Sequence, residues 1–162
     1  MNFRVWVIAA MVVLGTASAL VLAPAFAQYA GAVPAGITID QGWTRMSTAP
    51  GKTTPAYFRI HNAGAAPDTL VSTTCPIAHH TLLLDQAGQQ LGAIVIKPGQ
   101  TLTLTPKALH LMLQDNRFRF YAHAMIPCSV DFLDAGKLIL YLHVEPDSAD
   151  GYQQARRSIV RN

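Results

Sequence analysis

Charge is scarce in this chain, and near its start it is almost missing. Asp, Glu, Lys and Arg make up 13% of the residues, and none occurs between Arg4 and Asp40. Val5 to Val21 is nearly all apolar, and Ala25-Phe26-Ala27 has the small-x-small form of a signal-peptidase site. A basic start, an apolar run and such a site describe an export signal. The alternative is an uncleaved N-terminal anchor facing the periplasm, because about 20 apolar residues span a bilayer. Cleavage after Ala27 leaves 135 of the 162 residues, enough for one domain with one core. Without Arg4 the 12 basic side chains become 11 against 9 acidic ones, a formal +2. So small a balance, with basic residues gathered only at Arg156, Arg157 and Arg161, gives no reason to expect a nucleic-acid partner. The apolar run is also the only route to a membrane that the sequence offers.

Cysteine is nearly absent too. Cys75 and Cys128 are not in a Cys-x-x-Cys pair, which removes support for dithiol redox catalysis or a zinc knuckle. Both fall at the margins of predicted strands, and export permits a disulfide between them. The competing readings are two buried free thiols, or Cys75 recruited as a soft ligand beside His79-His80. Also missing are a phosphate-cradling glycine loop, a Gly-x-Ser-x-Gly elbow, a His-Glu-x-x-His helix, a carboxylate pair, any internal repeat and any low-complexity run. No segment of the mature chain keeps helical periodicity over three turns.

What remains is short alternating segments between turn signals. Strands are predicted at 37–43, 56–62, 69–74, 81–84 and 93–96, through the stretch 100–113, weakly at 118–124, and at 129–133 and 137–144. Asp134-Ala135-Gly136 joins the last two as a hairpin. About 8–9 short strands at near-regular spacing indicate an all-β sandwich or barrel. The boundaries are a signal peptide at 1–27, a linker at 28–36, a β domain at 37–146 and a polar tail at 147–162, read as a short helix or a disordered end.

The stretch from Gln100 to Leu113 organises the chemistry. Leu109, Leu111 and Leu113 alternate, which leaves His110 and Met112 together on the other face, roughly 6.5 Å apart at about 3.3 Å per strand residue. An imidazole and a thioether form a soft pair suited to Cu(I) and ill suited to Mg or Ca. The bland alternative is a gap-filling methionine beside a sheet-edge histidine. Of the other histidines, His79-His80 follow Cys75-Pro76, and strand alternation turns at most one of them toward His110. His123 and Met125 share a face, but Pro127 follows at once and predicts a loop. His61 and His143 read as ordinary surface histidines.

Several motifs then stand in one order. They are Ile-x-Ile-x-x-x-Trp-x-Arg (37–45), Pro-Ala-Tyr-Phe-x-Ile-x-Asn-x-Gly (55–64) and Ala-Pro-Asp-x-Leu-Val-Ser (66–72), then Pro-Gly-x-Thr-Leu-x-Leu-x-Pro (98–106), His-Leu-Met-Leu (110–113) and Phe-x-Asp-Ala-Gly (132–136). In this order and spacing the chain resembles the PCu(A)C family of periplasmic copper chaperones, over about 37–144. The resemblance implies a cupredoxin-like β-sandwich of Greek-key type that binds Cu(I), one per chain, and delivers it toward the copper site of a respiratory oxidase. It implies as partners a copper ion and a copper-site assembly protein or oxidase subunit. The family's site uses two histidines and two methionines, of which the second pair falls on His110 and Met112. The first histidine position falls near Leu84, and the methionine-bearing excursion after it is shortened to Asp85-Gln-Ala-Gly-Gln-Gln90, with no methionine. His79 or His80 is then the candidate substitute.

Three functions follow. The first is a periplasmic Cu(I) carrier using His110, Met112 and one of His79 or His80, a binding protein and not an enzyme. The second is an exported β-sandwich interaction module that has lost metal binding, with Tyr57, Arg59 and Tyr141 as surface contacts. The third, a copper redox enzyme, lacks an oxygen-ligand or three-histidine site. Convergence of His79 or His80 to within about 5 Å of His110 and Met112, the span set by two metal–ligand bonds, separates the first two.

Overall fold

The structure is a computed structural model and describes residues 36–153. The predicted signal peptide and most of the linker lie outside the described residues, as does the end of the tail. Nine strands are present and no helix occurs among the described residues: β1 (Ile37–Arg45), β2 (Thr54–Asn62), β3 (Asp68–Thr74), β4 (Ala78–Leu84), β5 (Ile94–Ile96), β6 (Thr101–Thr103), β7 (His110–Asn116), β8 (Met125–Phe132) and β9 (Gly136–Glu145). They form one curled sheet in the order β4-β7-β2-β1-β9-β8-β3-β5, with β6 also on β2. All neighbours run antiparallel except β1 and β9. The curl brings β3 back toward β4, where Thr81 Oγ1 donates to Thr73 O at 2.5 Å.

The alternation seen in the sequence is the alternation of burial. Phe58, Ile60, Leu70, Ile96, Leu111, Leu113, Val130, Leu142 and Val144 point inward and are all but inaccessible. Period-two patterning buries one side of each strand and leaves the other for polar groups. Gly42 sits in a bulge of β1, where the register with β2 shifts between Asp40 and Trp43 and Gln41 adopts φ 53°. A Cβ on Gly42 would lie 2.5 Å from Tyr141 O, so only glycine lets β1 pass β9 this closely.

Some boundaries differ from the sequence reading. The stretch 100–113 is two strands, because Pro106 has no N–H to give a ladder. β6 and β7 both border β2, at Arg59–His61 and Thr54–Ala56 respectively, and the chain loops out between them. The predicted strand at 118–124 is a turn region with an isolated bridge, Phe120 to Ser47. Met125 belongs to β8, not to a loop. Pro127 is tolerated there because β3 pairs only with Leu70-facing Phe132 back to Ser129, so the missing N–H faces no strand. Tyr57 is 3% exposed and stacks on Trp43 at 4.5 Å between ring centroids, so it is no surface contact. The described part of the tail, 147–153, folds back on the domain rather than forming a helix. Ala149 is buried, and its carbonyl accepts from Arg45 Nε at 3.1 Å.

The Cys75–Cys128 disulfide is present and ties the end of β3 to β8. Neither cysteine is left as a soft ligand.

Candidate metal centre

β7 lies between β4 and β2, and this placement sets what surrounds its outer face. Leu111 and Leu113 are fully buried, so His110 and Met112, both partly exposed, face outward. Across the ladder, His110 stands opposite Leu84 and Met112 opposite Leu82. On the other flank Met112 stands opposite Pro55. Directly opposed residues share a face, with Cβ atoms about 4.5–5.5 Å apart. The soft pair is therefore framed by Leu82, Leu84 and Pro55, which supply no donor.

His110 is oriented by its own strand entry. Its Nδ1 donates to Ala108 O at 3.0 Å. That contact needs the proton on Nδ1 and leaves Nε2 as the acceptor, the arrangement in which a histidine ligates metal. The loop that carries Ala108 is a turn after Pro106, with Ala108 N donating to Thr105 O and Thr105 N to Leu109 O. On this same face of the sheet, at β2, burial pushes the Tyr57 phenol up, against the opposing pull of the Arg45 charge. Tyr57 thus stays a neutral phenol at physiological pH and offers no hard anionic oxygen.

The two other candidate histidines are separated. His80 pairs with Gln114 and shares the face of Met112 and His110. It is diagonal to Met112, at about 7–8 Å, and about 13 Å further along the strand than the residue facing His110. His79 alternates to the other side, with Nε2 4.0 Å from Asp115 Oδ2. The structure thus brings His110 and Met112 together, sets His80 beyond Met112 on the same face, and turns His79 away. β4 begins at Ala78, earlier than the sequence reading placed it, because Ala78 N turns back to Cys75 O and Ile77 O accepts from Arg117 N. That earlier start is what places His80 in register. The segment after β4 is a tight turn in which Asp85 Oδ1 accepts from Ala87 N and Gln89 N. Among the described residues, no methionine-bearing loop overhangs the site.

The donor set fits a soft monovalent ion in low coordination, and it does not fit a hard divalent one. No group of three or more His, Cys, Asp or Glu side chains converges among the described residues.

Comparison with known proteins shows where this curled all-β fold is shared. The copper-bound PCuAC domain of PmoF2 superposes with a TM-score of 0.62 at 21% identity, covering 68% of this chain and 93% of that domain. The apo PmoF2 PCuAC domain gives 0.64 at 19%, covering 72% and 94%. The Cu(I) form of DR1885 from Deinococcus radiodurans gives 0.56 at 23%, covering 75% and 87%. At these identities the likeness establishes a shared fold. No curated protein matches the sequence. The family model described as lipoprotein LpqE-like matches residues 37–144, and the chain belongs to this LpqE-like family.

Proposed function

We propose that this protein is an exported Cu(I) carrier, holding one Cu(I) per chain through His110 and Met112 and acting by binding rather than catalysis. The observation that carries the reading is the pair itself, a thioether and an imidazole on one outer face, with the imidazole's Nδ1 tied to Ala108 O so that Nε2 is the free donor. The copper-bound PmoF2 domain and the Cu(I) form of DR1885 share this fold and support copper as the cargo. The export signal read at 1–27 supports the periplasm as its location, and the resemblance supports assembly of a respiratory oxidase's copper site as its destination. His80, about 13 Å along β4 from Leu84 opposite His110, lies outside the convergence expected of a shared ligand, so the pair holds the ion without it.

A second reading, a metal-free interaction module, draws on Leu84 standing opposite His110. Titration of Cu(I) against a chromophoric competitor decides between them. The carrier binds tightly, loses that binding in His110→Ala, loses at least about tenfold in Met112→Ala, and is unchanged in His80→Ala and in His79→Ala. Weak binding that none of these substitutions alters establishes the module instead.

A further inference from the structure

The same outer face carries a second imidazole–thioether pair, drawn from two strands instead of one. Met125 opens β8 and stands directly opposite His143 on β9. One step along, Val144 N donates to Ala124 O at 2.8 Å and Val144 O accepts from His123 N at 2.6 Å. Hydrogen-bonded and non-hydrogen-bonded pairs alternate along an antiparallel ladder, so Met125–His143 falls in the non-hydrogen-bonded class, whose Cα atoms approach to about 4.5 Å and whose side chains lie closest. Ile126, Leu142 and Val144 are buried, which directs Met125 and His143 outward.

We propose that Met125 and His143 form a second soft-metal site, taking Cu(I) or Ag(I). Three further features converge there. Met125 is 54% exposed, so its thioether faces solvent instead of filling the core, whereas Met46 packs against the core. The His143 ring is held edge-on by Tyr152, at 5.3 Å and 74°, which restricts its rotation. His123 has φ 76° and shares Val144 with Ala124 as a bulge. A non-glycine residue in that conformation is uncommon, and bulges re-aim side chains. The bulge sets another imidazole at the same end of β8, two residues before Met125.

This pair cannot share an ion with the first. His143 pairs with Trp43, and Trp43 with Tyr57, on the face that Pro55 and Met112 also occupy. β7 and β9 are three strand spacings apart, about 14 Å at roughly 4.8 Å each. The donors are the same soft class, so the second site competes for the same metal and does not require the first.

Methionine methyl NMR of the mature protein, titrated with Ag(I) as a redox-inert stand-in for Cu(I), reads the two sites separately. The expected result is movement of both the Met112 and Met125 methyl resonances, with saturation at two equivalents. Met125→Leu and His143→Ala should each lower the stoichiometry to one and leave the Met112 shift intact, with unchanged thermal midpoints showing that the fold survives. A Met125 methyl that stays still to two equivalents, or a stoichiometry that both substitutions leave unchanged, overturns the second site. Movement of Met125 without Met112 would uphold it and refute the first.

Discussion

The β3–β8 side of the sheet and the β4–β7 side use polar residues in opposite ways. On the first, Asp68 is 3% exposed, and its carboxylate accepts from Thr69 N at 2.6 Å, Asp134 N at 3.0 Å and Ala135 N at 2.9 Å. Its capacity goes to the backbone of β3 and of the β8–β9 hairpin turn. On the second, His110 fixes one ring nitrogen on Ala108 O and directs the other outward, and Met112 stands beside it on an exposed face. A buried polar group must be satisfied by the protein, and a side chain that satisfies backbone groups is structural. A donor held in place but left facing solvent is available to a ligand. Partner accounting, more than residue type, separates the two roles.

The sharpest way to break the contrast is to remove what holds the β3–β8 side together. The Cys75–Cys128 bridge closes a loop of sequence separation 53. The chain-entropy treatment gives about 4 kcal/mol for a loop of that size. Reduction, or Cys75→Ala with Cys128→Ala, should lower the urea unfolding free energy by that order. Cu(I) affinity of the molecules that remain folded should stay the same, because neither cysteine lies in β7 or in a strand that pairs with it. A fall in affinity equal to that of His110→Ala would show that the two sides are one unit.

Asp68 comes next. Replacing it with Ala strands three N–H groups in a partly buried setting, and hydrogen bonds to a charged acceptor are individually worth about 1.5–3 kcal/mol. A net loss of about 3 kcal/mol is expected by denaturant titration, with the Met112 methyl shift on metal addition retained. A loss under about 0.5 kcal/mol, the range of ordinary surface changes, would show that the turn does not depend on Asp68.

The metal side can be sharpened instead of broken. Leu84→His places an imidazole directly opposite His110, at the distance of a cross-strand pair. A third donor should tighten Cu(I) by about tenfold or more, equivalent to about 1.4 kcal/mol. Competition titration reads it, and an unchanged affinity would mean that the ion does not lie between β4 and β7.

Much of this was legible in the sequence, and the misses have physical causes. Alternation alone gave the core and put His110 and Met112 on one face, because period two is a property of each strand by itself. Register is not. That Leu84 faces His110, and that Met125 faces His143, depends on which residues two separate strands bring level. Pro127 argued for a loop because proline removes a ladder donor, but in β8 that donor would point past the end of β3. Tyr57 looked like a contact residue because its neighbours Arg59 and His61 are polar. The Gly42 bulge, which brings Trp43 over its ring, is a tertiary feature.

The smallest expected effect lies on the same outer face, at the ion pair between Asp40 and Arg59. Arg59 Nε and Nη2 donate to the two carboxylate oxygens at 2.7 and 2.5 Å. The hydrogen bond from Arg59 holds the Asp40 carboxyl below its ordinary 3.8, helped by the Arg59 and His61 charges and opposed by slight desolvation. A folded-state value below the unfolded one means that the pair contributes its stability above about pH 3.8 and loses it as pH falls through the lower folded value. Both side chains are well exposed, so solvent screening keeps the contribution small. The prediction is therefore a displaced titration with little consequence. NMR of the Asp40 carboxyl carbon should show a midpoint below 3.8 that returns toward it in Arg59→Ala, while the thermal midpoint at neutral pH and the Met112 response to Ag(I) barely change. A large loss of either would place this pair with Asp68 among the residues that hold the sheet, and the contrast between a structural side and an open face would then fail on β2.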